Sequence, residues 1–448
     1  MKSTLQINNA YEVSMNRLCL GCGACVSICP EQKIKLANIM DSGIRPIMLE
    51  GDKAGKPGAC ENCRLCLDVC PGIHTSAGHE STVPQNIAER SAKRWGEFLE
   101  LWEGYASDPE IRLKGSSGGL CTALSLFCLD TGMAGGVLHI GSDHERPWEN
   151  KTYRSTTKVE LISRAGSRYA PASPCDSLKQ IANAPDASVF IGKPCDVAGL
   201  KMTQKVMPEL ENKIAITLGF FCAGTPSTKG TIELLKTHGI DYHSLSKLQY
   251  RGEGWPGMAT ATLKRNNHKA MEISYRESWG FVQKYRPFRC YLCPDLTAEQ
   301  ADISVGDPWY RDIEENEPGR SLILIRTKKG SDIFQQAMAK GYVTAEKADP
   351  DIIYRSQKNL LGKRQAIWGR VLAMKLMGIP TPKLEGYYLF ENWLDLSLKE
   401  KARSVVGTWR RIIQRKYYKP LEDDGGKGSR FKGQGTRIKD KKIVNGKL

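Results

Sequence analysis

Eight cysteines near the start of the chain form two runs with the same spacing. Each run follows C-x2-C-x2-C-x3-C-P: CLGCGACVSICP carries Cys19, Cys22, Cys25 and Cys29, and CENCRLCLDVCP carries Cys60, Cys63, Cys66 and Cys70. This spacing lets three thiolates surround one face of a 4Fe–4S cubane, whereas a zinc site needs only two C-x2-C pairs and no repeated Cys-Pro ending. The two runs therefore predict two 4Fe–4S clusters, which relay single electrons.

The fourth cysteine of each run is expected to bind the cluster of the other run, as in two-cluster bacterial ferredoxins. One predicted cluster is held by Cys19, Cys22, Cys25 and Cys70, and the other by Cys60, Cys63, Cys66 and Cys29. Adjacent cubanes move electrons one at a time, so they imply another redox centre that collects or supplies electrons in pairs. We place both clusters in a small ferredoxin-like domain over residues 1–84.

Four further cysteines lie in polar or Gly- and Pro-rich contexts. Cys195 and Cys222 follow predicted strands, and Cys290 with Cys293 forms another C-x2-C pair. Loops at strand ends are where α/β proteins build their sites, so these four thiolates form a candidate third 4Fe–4S site. A structural zinc site and buried free thiols are the alternatives. The remaining three cysteines are expected to pack as small apolar side chains: Cys121, Cys128 and Cys175.

The rest of the chain alternates short apolar runs with helical patterns. GGVLHIG, ASVFIGKP, IAITLGFF, ADISVGDP and SLILIRT are predicted strands, and KGTIELLKTHG and GSDIFQQAMAKG are predicted helices that follow two of them. This alternation predicts an α/β body, with the strand pairing left open. We divide the body into residues 95–178 and 179–350. A helical extension over 351–423 follows, and then a basic tail over 424–448 that we expect to be disordered.

A Gly- and Ser-rich segment, KGSSGGL, precedes a predicted helix of this body. Backbone N–H groups at a helix start, hydroxyl groups and a lysine can all bind phosphate. The segment offers Lys114, Ser116, Ser117, Gly118 and Gly119 for this purpose, and a plain helix cap is the alternative. The seven histidines form no ligand-like pair, and we assign no catalytic acid or base.

Seven short strings occur in an order that resembles a known family: KGSSGGL, GSRYAPA, IGKPCDVAGL, GFFCAGTPS, RGEGWPG, CYLC and ADISVGDPW. Over roughly residues 17–360 the chain resembles the beta-subunit family of coenzyme F-420 hydrogenases and dehydrogenases. It is also similar to the related 7-hydroxymethyl-chlorophyll reductases. The resemblance implies FAD in the α/β body, a 4Fe–4S cluster beside it, and ferredoxin modules that feed it.

The resemblance also gives individual residues a function. It favours the third cluster at Cys195, Cys222, Cys290 and Cys293, and it assigns the KGSSGGL loop to the pyrophosphate or a neighbouring part of FAD. Lys193 is expected to add positive charge near the flavin, with a solvated lysine as the alternative. Other residues in the matching strings receive no assigned function: Arg168, Tyr169, Asp307 and the segment Arg251–Gly257.

The resulting interpretation is an FAD-dependent iron–sulfur oxidoreductase that exchanges two electrons with an organic partner, coenzyme F-420 by resemblance. A ferredoxin-dependent reductase of another organic substrate is the alternative, because the fused ferredoxin domain and the basic extension are not part of the family's minimal flavin subunit. An electron-transfer subunit without its own substrate and a zinc-binding structural protein are alternatives from other classes. Ferredoxin or another redox protein is the expected protein partner.

Basic residues concentrate at the C-terminal end. The whole chain has a net charge of +16, and from Lys399 onward sixteen Lys and Arg stand against five Asp and Glu, a net +11. Five apolar residues there fall on one helical stripe: Val405, Val406, Trp409, Ile412 and Ile413. We favour a helix packed on the body, and peripheral contact with an anionic membrane is the alternative. No base-reading module accompanies the tail, so nucleic acid is not an expected partner.

Targeting signals are missing from the sequence pattern. No run of about 18 apolar residues occurs, which argues against a membrane-spanning helix. The opening stretch MKSTLQINNAYEVSMNRL contains no apolar signal-peptide core. We therefore expect a cytoplasmic protein, with association at a membrane surface as the alternative.

Overall fold

A computed structural model describes residues 7–49, 60, 62–78, 93–310, 313 and 317–421. Its strands are β1 (Ile34–Ile39), β2 (Gly43–Met48), β3 (His74–Ser76), β4 (Glu100–Ala106), β5 (Gly136–Ser142), β6 (Asn150–Ser155), β7 (Ser188–Gly192), β8 (Ile214–Phe220), β9 (Leu245–Gln249), β10 (Met258–Leu263), β11 (Lys269–Ser274), β12 (Ile303–Gly306), β13 (Ser321–Ile325), β14 (Val343–Lys347) and β15 (Lys383–Glu385). The basic tail at 424–448 lies outside the described residues.

The α-helices are α1 (Ala10–Met15), α2 (Ala24–Ile28), α3 (Leu65–Asp68), α4 (Pro109–Lys114), α5 (Leu120–Asp130), α6 (Lys158–Ser163), α7 (Leu178–Ala182), α8 (Pro194–Val206), α9 (Thr228–Thr237), α10 (Tyr275–Val282), α11 (Lys328–Ala339), α12 (Ile352–Ser356), α13 (Lys358–Gln365), α14 (Ile367–Leu376), α15 (Leu389–Leu394) and α16 (Leu398–Gln414). The predicted helices KGTIELLKTHG and GSDIFQQAMAKG are confirmed as α9 and α11.

One eight-stranded sheet forms the centre of the body, in the order β14-β4-β13-β12-β8-β7-β5-β6. The pairs β12–β8, β8–β7 and β7–β5 are parallel, whereas the outer pairs on both sides are antiparallel. The five predicted strands are confirmed as β5, β7, β8, β12 and β13. The sheet is therefore mixed, and both predicted parts of the body contribute strands to it.

Burial on both faces explains the continuous apolar runs of the central strands. Val189 of β7 packs in a core that includes Leu124 and Phe127 of α5 and Phe334 of α11. The next residue, Phe190, packs in a second core with residues of α7 and α8. Side chains alternate between the two faces of a strand, so these cores lie on opposite sides of the sheet.

A smaller antiparallel sheet, β11-β10-β9, stands beside the main sheet. Its core includes Ala259 and Met271 from the strands, Leu234 and Leu235 from α9, and Val282 from α10. Helix α10 is capped by Ser274, whose hydroxyl accepts the Glu277 N–H at 3.2 Å while the Glu277 carboxylate accepts the Ser274 N–H at 3.0 Å. This reciprocal cap fixes the start of the helix beside the aromatic residues described below.

The N-terminal segment contains the antiparallel hairpin β1–β2 and the short helices α1, α2 and α3. Hydrogen bonds connect it to both the body and the extension. Ser173 donates to the Gly21 carbonyl at 2.6 Å, and the buried Arg289 donates to the carbonyls of Gly72 and Pro71 at 3.1 and 3.2 Å. Strand β15 of the extension pairs in parallel with β3.

Helices α12 to α16 follow the main sheet over residues 352–414. Arg364 of α13 pairs with Glu299 of the body, and both side chains are almost fully buried. This ion pair anchors the extension to the body. Among the helices of the described residues, none combines the length and the apolar character needed to cross a membrane.

Candidate functional site

The KGSSGGL segment forms a tight loop between α4 and α5. Gly119 has a left-handed backbone (φ +72°), and a Cβ atom there would lie 2.7 Å from the Ile111 carbonyl oxygen. The loop is bonded to β13, because the Ser321 hydroxyl contacts the Ser117 hydroxyl at 2.7 Å and accepts the Gly118 N–H at 2.9 Å. Glycine at 119 is thus required by both the backbone angle and the close packing.

A cavity of about 300 Å³ opens beside this loop. Ile140, Ile191, Phe220 and Val305 line it, one residue from each of the parallel strands β5, β7, β8 and β12. Open α/β sheets bind ligands in the crevice outside the carboxyl ends of such strands. We refer to this space as the central cavity.

Only some of the predicted loop residues line the central cavity. Ser116, Ser117 and Gly119 line it, whereas Gly118 and Lys114 are not among the lining residues. The Lys114 ammonium instead pairs with Glu110 of its own helix at 3.3 Å, and 41% of its side-chain surface is exposed. The spacing of KGSSGGL predicted the loop, but it did not reveal the direction of the lysine side chain.

Lys193 is buried at the edge of the central cavity and is not a solvated lysine. Its ammonium donates to the Asp196 carboxylate at 2.6 Å and to the Ala172 carbonyl at 3.3 Å. Burial by itself lowers the pKa of Lys193, but Asp196 and the adjacent Cys195 outweigh burial and raise the pKa above its ordinary value. Lys193 therefore remains a cation at neutral pH.

Arg251 joins three of the family-like strings. Its guanidinium donates two hydrogen bonds to the Asp307 carboxylate at 2.8 and 2.9 Å, and it also donates to the carbonyls of Pro256 (2.7 Å) and Ser116. Trp255 donates its indole N–H to the same carboxylate at 2.8 Å. A bidentate arginine–carboxylate pair has fixed geometry, so this contact holds the loops at Ser116, Arg251 and Asp307 in one arrangement.

Stacked aromatic rings form one wall of the site. Tyr275 and Trp309 lie nearly parallel at 5.4 Å, and Trp309 stacks on Trp255 at 5.2 Å. The Arg251 guanidinium lies 4.6 Å from the Tyr275 ring centre. Tyr275 and Trp309 line the central cavity, and together they offer a flat apolar surface to a ring system. No local pattern predicted this stack, because its members are far apart in the chain.

His139 of β5 also lines the central cavity, and the sequence did not single it out. Its Nε2 lies 2.7 Å from the Ser155 hydroxyl, which also accepts a hydrogen bond from Arg164 at 2.7 Å. Burial, followed by the charge of Arg164, lowers the pKa of His139 to about 4. The imidazole is therefore neutral at physiological pH. Cys121, which was expected to pack in the core, lines the cavity as well, whereas Cys128 and Cys175 are fully buried.

The N-terminal cysteines lie together in two groups. A small cavity is lined by Cys19, Cys22, Cys25 and Cys70, which belong to both sequence runs. Burial raises the pKa of the Cys25 thiol, and the neighbouring thiols of Cys22, Cys19 and Cys70 raise it further.

The second group has the complementary membership. Burial raises the pKa of Cys66, and the thiols of Cys63, Cys29 and Cys60 lie close enough to raise it as well. Cys60 is the exposed member of this group. Each group thus combines three cysteines of one run with the last cysteine of the other run.

The four cysteines of the body also converge. Burial raises the pKa of Cys195, and the nearby Cys222 and Cys293 contribute; Cys222 in turn is close to Cys290. Cys222 lines the central cavity. Cys290 shares a second small cavity with Cys19 of the N-terminal segment. The body cysteines therefore lie between the N-terminal cysteine groups and the central cavity.

Lys363 faces three of these body thiols and was not identified from the sequence. Burial lowers its pKa, while Cys290, Cys293 and Cys222 act in the opposite direction. Its ammonium donates to the Ala223 carbonyl at 2.7 Å. A cation at this position would offset the negative charge of thiolate ligands.

The donor sets fit the expected cofactors. All three cysteine groups consist of thiols alone, the usual ligands of 4Fe–4S cubanes, in which each thiolate binds a different iron. Among the described residues, no three His, Cys, Asp or Glu side chains gather closely enough around one point to hold a single metal ion. The central cavity combines a glycine cradle and the buried cation Lys193, which fit the phosphates of FAD, with an aromatic wall that fits a flat ring system.

Comparison with known proteins agrees with this arrangement. The N-terminal model of the coenzyme F420 hydrogenase/dehydrogenase beta subunit matches residues 101–179, and its C-terminal model matches residues 186–351. The chain belongs to this family. The resemblance inferred from the seven strings is confirmed. A 4Fe-4S dicluster domain also matches residues 12–83, so this family member carries an iron–sulfur domain.

Two of its relatives carry coenzyme F420 in their names. The coenzyme F420 hydrogenase subunit beta of Methanosarcina barkeri is 25% identical over 282 residues, which span 60% of this chain and 91% of that protein. The coenzyme F420-dependent sulfite reductase of Methanocaldococcus jannaschii is 25% identical over 359 residues, which span 76% of this chain and 50% of that protein. This family member is accordingly an oxidoreductase.

A solved structure supports the fold. The F420-reducing NiFe hydrogenase complex of Methanosarcina barkeri contains a chain that superposes with a TM-score of 0.52 at 24% identity. The superposition covers 64% of this chain and 96% of that chain. The body of this family member thus has the fold of a known hydrogenase subunit.

Proposed function

We propose that this family member is an iron–sulfur flavoprotein that passes electrons between three 4Fe–4S clusters and FAD, and exchanges them with coenzyme F420. The observation that carries the proposal is the position of the body cysteines. Cys222 lines the central cavity, and Cys290 shares a small cavity with Cys19. A cluster at Cys195, Cys222, Cys290 and Cys293 would therefore connect the N-terminal clusters to the central cavity.

The cluster ligands follow from the three groups. Cys19, Cys22, Cys25 and Cys70 would hold the cluster nearer the body, and Cys29, Cys60, Cys63 and Cys66 the outer one. Cys60 is exposed, so the outer cluster is the point where a redox protein, such as ferredoxin or a partner subunit, would exchange electrons.

FAD would be held by the loop and the cations of the central cavity. Ser116, Ser117 and Gly119 form a cradle suited to the pyrophosphate at the start of α5, and Lys193 supplies a buried positive charge. When bound, FAD supplies the conversion between single electrons and a two-electron exchange. The Arg251–Asp307 pair keeps the loop and the aromatic wall in place, and the neutral His139 contributes a hydrogen-bonding group without charge.

Coenzyme F420 is proposed as the organic partner because the relatives carry its name and the cavity has an open aromatic wall. Tyr275 and Trp309 present a flat surface on which a deazaflavin ring could stack. One relative is named a coenzyme F420 hydrogenase subunit and another a coenzyme F420-dependent sulfite reductase. The redox partner that meets the outer cluster near Cys60 is therefore expected to differ among family members.

The test is a visible absorption spectrum of anaerobically purified protein, recorded before and after addition of reduced F420, together with iron, zinc and flavin analysis. We expect flavin, about twelve iron atoms per chain and bleaching of the flavin and cluster bands by reduced F420. Bleaching by reduced ferredoxin or dithionite alone would assign the cavity to another organic substrate. Absence of flavin after reconstitution would leave an electron carrier and contradict the proposal.

A further inference from the structure

Helix α16 exposes most of its large apolar residues rather than burying them. Its start is fixed by a reciprocal cap, in which Ser397 accepts the Glu400 N–H at 3.3 Å and the Glu400 carboxylate accepts the Ser397 N–H at 3.0 Å. The helix extends over Leu398–Gln414, and its buried residues show which of its faces packs on the protein.

The face that packs on the protein carries two small polar residues and one large apolar residue. Ser404, Thr408 and Ile412 are buried. Ser404 accepts the indole N–H of Trp393 at 3.0 Å, and it lies so close to Gly369 of α14 that a Cβ atom there would overlap its hydroxyl. Close approach of α16 to α14 thus depends on small side chains, and of the larger apolar residues of α16 only Ile412 is buried.

The outward residues form one continuous stripe. Leu398 is 84% exposed, Val406 65%, Ile413 52% and Trp409 39%, and Ala402 is also exposed. These positions follow steps of four, four, three and four residues, so they lie along one side of the helix. We call them the apolar stripe; at about 1.5 Å per residue it extends over about 22 Å. The sequence favoured burial of five apolar residues of this helix. That prediction is wrong for three of them, Val406, Trp409 and Ile413, which are exposed.

Positive charge borders the apolar stripe. Lys399, Arg403 and Arg410 are exposed, and each lies next to a stripe residue along one edge of the helix. Residues 397–421 contain eight Lys and Arg and one acidic residue, Glu400, whose carboxylate is engaged in the helix cap. A second copy of the chain would bring further cations to this surface. The charge is complementary to an anionic surface instead.

We propose that α16 lies in the plane of an anionic lipid surface, with the apolar stripe in the headgroup region and Lys399, Arg403 and Arg410 on lipid phosphates. An exposed apolar side with a tryptophan and a basic edge is the pattern of interfacial helices. The proposed function does not depend on this inference, because α16 lies outside the matched family segments and away from the central cavity lining.

The test is co-sedimentation of the full-length holoprotein with vesicles of phosphatidylcholine, with and without phosphatidylglycerol. We expect binding to the anionic vesicles and weak binding to the neutral ones. The double variant Val406→Gln/Ile413→Gln should lower the partitioning of the protein onto anionic vesicles by about tenfold or more, because it removes apolar side-chain area that would be buried in the lipid surface. Glutamine is a good helix former, so the helix is retained. The matched control is Val159→Gln on α6, a position that is 78% exposed.

A second pair of variants tests the charges. Arg403→Gln/Arg410→Gln should remove the preference for phosphatidylglycerol, whereas Lys205→Gln/Lys236→Gln makes the same change in net charge at exposed positions elsewhere. Iron content and circular dichroism check that each variant is folded. The proposal is overturned if the wild type stays in the supernatant with anionic vesicles, or if the stripe variant binds as well as the wild type, which would assign binding to the basic tail. It is also overturned if light scattering shows a dimeric wild type and a monomeric stripe variant, and neither of these proteins binds vesicles.

Discussion

Substitution of His139 should change how the stability of the protein depends on pH. Burial and Arg164 depress the pKa of His139 to about 4 in the folded chain, compared with about 6.5 in an unfolded chain. Between these values the unfolded chain binds more protons, so the folded state loses stability as the pH falls. The contribution is complete above about pH 6.5 and is lost progressively down to about pH 4.

The magnitude follows from the two pKa values. At about 1.36 kcal/mol per unit, the full penalty reaches about 3.4 kcal/mol below pH 4 and about 2 kcal/mol at pH 5. His139→Gln keeps a hydrogen-bonding group beside Ser155 but cannot accept this proton. The wild type should therefore lose about 2 kcal/mol more stability than the variant between pH 7 and pH 5.

Thermal unfolding followed by circular dichroism at both pH values measures this difference. The melting temperature of the wild type should fall more steeply on acidification than that of His139→Gln. His268→Gln, at an exposed position of the β10–β11 turn, is the control and should retain the slope of the wild type. Equal slopes for the wild type and His139→Gln would refute the assignment of a buried neutral imidazole beside Arg164.

Three further predictions concern the cofactors and the extension. Cys290→Ala/Cys293→Ala should lower iron from about twelve to about eight atoms per chain, whereas Cys128→Ala, in the buried core, should leave iron unchanged; equal iron in both would remove the third cluster. Gly119→Ala should lower retained flavin because its Cβ would meet the Ile111 carbonyl, whereas Gly132→Ala has the same backbone strain (φ +71°) with open space around it; identical flavin content would exclude the cradle. Arg364→Met should destabilise the protein by about 3–5 kcal/mol by leaving the Glu299 carboxylate buried without its cation, and the exposed Arg355→Met should change stability by less than about 0.5 kcal/mol; equal melting temperatures would contradict the anchoring of the extension.

The sequence predicted what depends on local spacing. The ligands within each cysteine run are only a few residues apart, so their spacing was enough to identify them. The apolar runs of β7, β8 and β13 were recognisable because these strands are buried on both faces. The convergence of Cys195, Cys222, Cys290 and Cys293 needed the family resemblance, because nearly a hundred residues separate the first and last of them. Spacing alone could not distinguish it from a zinc site.

Other parts of the site depend on contacts between distant residues. Three features arise only when separate elements pack together, so no local sequence pattern predicts them. These are the Arg251–Asp307 pair, the Tyr275–Trp309 stack and the position of Lys363. Lys114 illustrates the same point in reverse, since its motif suggested an anion-binding lysine and the side chain turned to Glu110. For α16 the period of the stripe was clear, but its orientation was decided by the close packing of Ser404 on Gly369.

The packing of the N-terminal segment explains how clusters held by short loops could serve a cavity in a different part of the chain. Arg289 lies one residue before Cys290 and donates to the carbonyls of Gly72 and Pro71, which directly follow Cys70. Cys175 donates its backbone N–H to the Cys22 carbonyl at 3.0 Å and its thiol to the Asp196 carbonyl at 3.2 Å. These bonds tie residues beside one cysteine group directly to residues beside the next. Their relative positions are therefore fixed by the folded core, and electron transfer along the proposed series requires no domain motion.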